Sequence, residues 1–256
     1  MYNERSNMQL TDAEIRQILI QQKKKKKQRQ KMRRRITLLA VLILMIVLAV
    51  IIVYQKNIIE NEPPRGIVFI DPGHGGPDPG ANNGKRLEKD DTLALSLALK
   101  DCLEDLRFDV RMSRTSDEDV DRSRRGEMAN ECGAQLMISV HRNQVDGDGS
   151  GVEGFIPKEN SAESRLLGEN IMNALAEQGF VKRSIRAGTL KDPDDDYAEN
   201  AAAAMPAVLI EVGFISSDGD NALFDDNMDG NAHAIAAAIS DTFHALYEPE
   251  EESGTD

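Results

Sequence analysis

The sequence predicts an α/β domain, a twisted and mostly parallel sheet with helices on both faces, preceded by a single transmembrane helix. Three observations carry that expectation. An uninterrupted run of 18 apolar residues follows a basic block. Beyond it, short apolar runs alternate with helical patterns, as in a sheet covered on both sides. The 256 residues contain no evident repeat and only two cysteines, too few for a disulfide scaffold.

The apolar run is Ile36 to Val53, ITLLAVLILMIVLAVIIV, without a charge, proline or glycine. That length is about the minimum for a helix crossing a hydrocarbon core. A secretory signal has a shorter apolar region and a small-residue cleavage site, and neither is present. Lys23 to Lys27 and Arg33 to Arg35 stand just before it, which orients the amino terminus toward the cytoplasm. Thr11 and Glu14 have the spacing of a capping box at the start of a helix that runs into this solvated basic tract. The chain therefore divides into a basic cytoplasmic segment (1–35), a membrane span (36–53), a linker with Pro63 and Pro64 (54–65), an extracytoplasmic domain (66–247) and an acidic, disordered tail (248–256).

Charge excludes one class of partner. Residues 1–35 hold 12 Lys/Arg against 3 Asp/Glu, leaving 19 against 41, a net of −22, for the rest. A domain so acidic does not bind a phosphate backbone.

Within the outer part, Ile67 to Ile70 is a strand and Asp91 to Leu106 a helix. Asp109 to Met112 is a short strand, Ser123 to Glu131 a helix, and Leu136 to Val140 a strand. Gly151 to Ile156 is a strand, Ala162 to Gln178 a helix, Ala207 to Val212 a strand, and Asn231 to Tyr247 a final Ala-rich helix. Cys102 and Cys132 fall in or beside helices and are expected to be buried free thiols. His233 and His244 are ordinary residues of the last helix.

Ligands bind beyond the carboxyl ends of strands in such sheets. There the first strand delivers His74, in Asp71-Pro72-Gly73-His74-Gly75-Gly76. The Leu136 strand delivers His141, and the Ala207 strand carries Glu211; Glu88 sits at the start of the first outer helix. Two histidines, a carboxylate and an open position suit a catalytic zinc ion, and a further carboxylate can move a proton between water and a leaving amine. His74, Glu88 and His141 are the candidate ligands and Glu211 the candidate base. Gly73, Gly75 and Gly76 allow backbone close to the metal. Ordinary readings exist for three of them: a turn histidine, a strand-end histidine and a helix N-terminal acid. Glu211 is the exception, because a carboxylate inside AVLIEVGF is costly to bury without a partner.

The stretches VFIDPGHGGPDPGA, LEKDDTLALSLA, RGEMANECGAQLMISVHRN and MPAVLIEVGFIS resemble the zinc-dependent N-acetylmuramoyl-L-alanine amidases of bacterial cell walls, collinearly from about Ile67 to Phe243. The resemblance implies His74, Glu88 and His141 as ligands of one Zn2+ and Glu211 as the catalytic glutamate. Arg142 stands where the family usually has alanine, a cation that could pair with a stem-peptide carboxylate; Arg142 and Asn143 are the candidate substrate contacts. Ser217 replaces a usual asparagine. Asp192 to Ala204 is acidic and Ala-rich where the family tends to carry a Val-Leu strand.

The expected function is hydrolysis of the amide between N-acetylmuramic acid and L-alanine in peptidoglycan, by an enzyme anchored through Ile36 to Val53. The alternatives are a zinc peptidase acting on the stem peptide and a catalytically silent wall-binding module. The sequence names no protein partner. Between His141 and Glu211, residues 179–206 read as a crossing with a solvated acidic loop and no plugging helix, so the zinc site is expected to be open.

Overall fold

The computed structural model describes residues 12–61, 63–145, 147–159, 161–192 and 194–248. Thr11, the expected cap, and residues 249–256 of the expected disordered tail lie outside the described residues. The chain divides into two compact units between Glu62 and Pro63.

The first unit contains α1 (Asp12–Asn61), one helix of 50 residues. Its segment Leu19–Tyr54 is long and apolar enough to cross a membrane, and none of its most apolar window is buried by protein. Helix α1 runs on through residues 54–61 of the expected linker. Residues 54–61 contain neither proline nor glycine, so nothing in the chain stops the helix before Pro63 and Pro64.

The second unit contains β1 (Ile67–Pro72), β2 (Asn82–Asn83), β3 (Arg86–Leu87), α2 (Glu88–Asp105), β4 (Asp109–Met112), α3 (Arg122–Glu131), β5 (Leu136–Asn143), β6 (Val152–Ile156), α4 (Ser161–Glu177), β7 (Lys182–Ala187), α5 (Ala198–Ala202), β8 (Ala207–Phe214), α6 (Asp218–Asp226) and α7 (Met228–Tyr247). Six strands form one sheet in the order β4-β1-β5-β8-β6-β7. Every pairing is parallel except β6 with β8. The short β2–β3 hairpin stands apart from that sheet.

Strand alternation sorts the side chains between two faces. Val68, Ile70, Leu136, Ile138, Val140, Val208 and Ile210 enter a large core beneath α2, α4 and α7, whose Leu95, Leu99, Leu167, Ile171 and Ile239 complete it. Phe69, Met137 and Ala207 point the other way, into a smaller core with Ala129 and Met205 beside α3 and α5. Helices therefore cover both faces, as expected. Fully burying each large aliphatic side chain contributes about 1.5–3 kcal/mol, and this is what fixes the strand register on which the site depends.

Cys102 and Cys132 are free thiols, but only Cys102 is buried. Cys132, at the end of α3, is half-exposed. His233 and His244 lie exposed on α7.

Candidate metal centre

The smaller-core face of the sheet also carries the polar residues of the strand ends. Asp71 on β1 is fully buried and accepts from Ser113 Oγ at 2.6 Å, Ser139 Oγ at 2.5 Å and Arg125 Nη1 at 2.8 Å. Arg125 Nη1 also donates to the Pro72 carbonyl at 2.7 Å and Nη2 to the His74 carbonyl at 3.0 Å. Arg114 Nη2 donates to the Gly73 carbonyl at 2.8 Å. These two arginines hold a loop in which His74 adopts φ 60°, a conformation uncommon outside glycine. Gly75 and Gly76 follow at φ 129° and 55°, so the glycines there serve the turn itself.

His74, Glu88 and His141 converge. One donor atom from each lies within 4.8 Å of the others, a group able to hold a metal ion. His74 Nε2 is 3.1 Å from Glu88 Oε2, and His141 Nδ1 is 3.0 Å from Glu88 Oε1. The imidazoles meet edge to face, with centroids 4.9 Å apart. Glycines make the closeness feasible: a Cβ on Gly73 would sit 2.4 Å from His141 Cε1, and one on Gly80 2.6 Å from Glu88 Oε2.

The electrostatics fit a cation. Burial would raise the Glu88 carboxyl, but hydrogen bonds from His141 and His74 outweigh it and hold the group well below the usual carboxylate range. Burial would lower His141, but the Glu88 carboxylate outweighs that and lifts it to about 9. The cluster thus stabilises positive charge at its centre, a demand that a divalent ion also meets. Two nitrogens and a carboxylate are a donor set suited to zinc.

Glu211 is the register partner of His141 across β5 and β8, and of Glu153 across β8 and β6. All three side chains leave one face. Burial pushes the Glu211 carboxyl up to about 8, and its Oε2 is enclosed without a hydrogen-bond partner. Glu153 is held by Asn143 Nδ2 at 2.7 Å and Arg183 Nε at 2.9 Å.

The expectation for Arg142 is overturned. Its side chain is fully buried on the opposite face, bonded to Asp91 Oδ2 at 2.6 Å and Asn221 Oδ1 at 2.7 Å, with its guanidinium 4.3 Å from the centre of the Phe224 ring. Strand β5 continues through Asn143, so the residue after His141 must face away from it. Asn143 remains on the site side, half-buried.

Two further residues border the site without a signal in the sequence. Arg122, at the start of α3, is exposed and pairs with no carboxylate among the described residues. It lines both a cavity of about 460 Å³ at His74 and His141 and the adjoining one of about 210 Å³ that reaches Glu211. Glu199, on α5, is buried, with its Oε1 3.7 Å from His141 Nε2. It arises from the stretch expected to be only a solvated crossing.

The sequence profile described as N-acetylmuramoyl-L-alanine amidase matches residues 68–241. The N-acetylmuramoyl-L-alanine amidase CwlM of Bacillus licheniformis is 32% identical over 194 residues, 70% of this chain and 72% of that relative. The sporulation-specific N-acetylmuramoyl-L-alanine amidase of Bacillus subtilis is 35% identical over 156 residues, spanning 60% of this chain and 58% of its own length. Among solved structures, the catalytic domain of the amidase CwlV from Bacillus (Paenibacillus) polymyxa var. colistinus superposes with a TM-score of 0.61 at 28% identity, over 69% of this chain and 97% of that one. An N-acetylmuramoyl-L-alanine amidase from Clostridium difficile gives 0.64 at 25% identity, over 71% and 98%.

Proposed function

The chain belongs to the N-acetylmuramoyl-L-alanine amidase family, and from that membership we propose a membrane-anchored zinc enzyme whose outer domain cuts the amide between the lactyl group of N-acetylmuramic acid and L-alanine. His74, Glu88 and His141 are the zinc ligands and Glu211 is the base. The observation that carries this reading is the convergence of three donor atoms within 4.8 Å at the ends of β1 and β5 and the start of α2, with Glu211 in register beside His141.

When bound, zinc supplies Lewis acidity toward water and toward the scissile carbonyl. The chain's own residues do the rest. Glu211 takes a proton from the attacking water and delivers it to the departing amide nitrogen, so the hydroxyl ends on the lactyl carbonyl carbon and the hydrogen on the new L-alanine amine. Its place beside His141, enclosed from solvent, lets it hold that proton between the two transfers. Arg122, which pairs with no carboxylate among the described residues, lines the cavities and takes a carboxylate of the stem peptide. Asn143 steadies Glu153 next to Glu211.

The anchor is Ile36 to Val53 within α1. The basic tract before it lies in the cytoplasm, which puts the acidic outer domain on the side of the wall.

Mass spectrometry of purified peptidoglycan digested with the protein tests the bond assignment. New L-alanine amino termini on intact glycan strands are expected. Other new amines would make the enzyme a peptidase, and no new amines would make it a binding module.

A further inference from the structure

Each candidate histidine ligand turns one ring nitrogen toward Glu88 and the other toward a second carboxylate. For His74 the second nitrogen, Nδ1, lies 2.8 Å from Asp78 Oδ2. For His141 the second nitrogen, Nε2, faces Glu199 Oε1 at 3.7 Å. The two ligands are thus each placed between Glu88 and one further carboxylate.

We propose that Glu199 is the positioning carboxylate of His141, matching at its Nε2 what Asp78 provides at Nδ1 of His74. The inference rests on the zinc centre proposed above. A ligand histidine whose free N–H faces a carboxylate is held in one tautomer and one ring orientation, and its coordinating nitrogen becomes more basic. At 3.7 Å the contact is longer than a hydrogen bond. It is electrostatic, and it favours the proton on Nε2, leaving the Nδ1 lone pair facing the centre.

Three features support the assignment. Glu199 is only 3% exposed and its Oε2 has no hydrogen-bond partner among the described residues, an arrangement that is costly unless a further partner is bound. The His141 ring lies close against the Gly73 backbone, where an added Cβ would come within 2.4 Å of it, so the ring is packed on that side. Finally, α5 is pinned. Asn200 Nδ2 donates to the Phe155 carbonyl at 3.0 Å, and Asn130 Nδ2 to the Ala202 carbonyl at 2.7 Å. Gly126 on α3 has no room for a Cβ, which would fall 2.5 Å from the Glu199 carbonyl oxygen. These contacts hold the Glu199 carboxylate beside His141.

The test measures zinc affinity of the full-length protein in detergent by competition with a chromogenic chelator. Glu199→Ala should bind zinc about 10- to 100-fold more weakly, the usual effect of losing such a partner. Glu199→Gln, which keeps the shape and an acceptor oxygen, should fall between the two. The visible absorption of the Co2+-substituted protein should keep the band positions of the unaltered form, because the ligand set is unchanged. Zinc affinity in Glu199→Ala indistinguishable from that of the unaltered protein overturns the proposal. So do a changed Co2+ spectrum and raised hydrolysis in Glu199→Ala, which would make Glu199 a fourth ligand. If the unaltered protein binds no zinc, the metal reading itself fails, and that outcome is distinct from unchanged affinity in the variant.

Discussion

His141 on β5 and Glu211 on β8 are partners in a parallel register, so a candidate ligand and the candidate base leave the same sheet face side by side. Their spacing is set by backbone hydrogen bonds and by the cores on either side of the sheet. It does not depend on a flexible loop, which is the condition for a preorganised site.

Gly73→Ala should weaken zinc binding by about tenfold or more, because the new methyl carbon would stand 2.4 Å from His141 Cε1 and force the ring out of line. Gly219→Ala is the control. There the methyl meets only Ser217 Oγ at 3.8 Å, and zinc affinity by chelator competition should be unchanged.

Asp71→Ala should destabilise the domain after Pro63 by about 3–5 kcal/mol, the scale of leaving one member of a buried ion pair alone. The side chains of Arg125 and Asp71 are 5% and 0% exposed. A large fall in the thermal midpoint is expected, and an unchanged midpoint would show that Arg125 finds another partner.

Arg122 and Arg142 should separate by kinetics. Arg122→Ala is expected to raise KM by about tenfold with kcat nearly unchanged, as for loss of a charge-assisted contact made equally in ground and transition states. Arg142→Ala should instead lower the melting temperature, since its guanidinium is packed on Phe224 and bonded to Asp91. The opposite pattern would restore Arg142 to the substrate.

Orientation is tested in intact protoplasts. Externally added protease should remove the region after Glu62 and spare residues 1–35. Protection of the acidic domain would place it in the cytoplasm and remove its access to the wall.

The site is legible where physics leaves a mark in the sequence. His74 and His141 follow apolar runs that read as strands, and Glu211 interrupts one. Glu199 leaves no such mark: α5 has five residues, too few for a helical period, and sits in an acidic, Ala-rich stretch. The edge strand β7, KRSIRA, escapes because its residues, half of them charged and exposed and none buried, show no apolar alternation. The acidic α6 escapes for a similar reason: among its nine residues only Asp220 and Phe224 are buried. Arg142 is misplaced by ending β5 at Val140. The strand runs on through Asn143, which turns Arg142 to the opposite face.

The most direct test compares zinc content and muropeptide hydrolysis in Glu211→Gln and His141→Ala. Glu211→Gln should keep its zinc and lose about 10²-fold or more in rate, while His141→Ala should lose zinc and activity together. Loss of zinc from Glu211→Gln would contradict the role of base and make Glu211 a ligand.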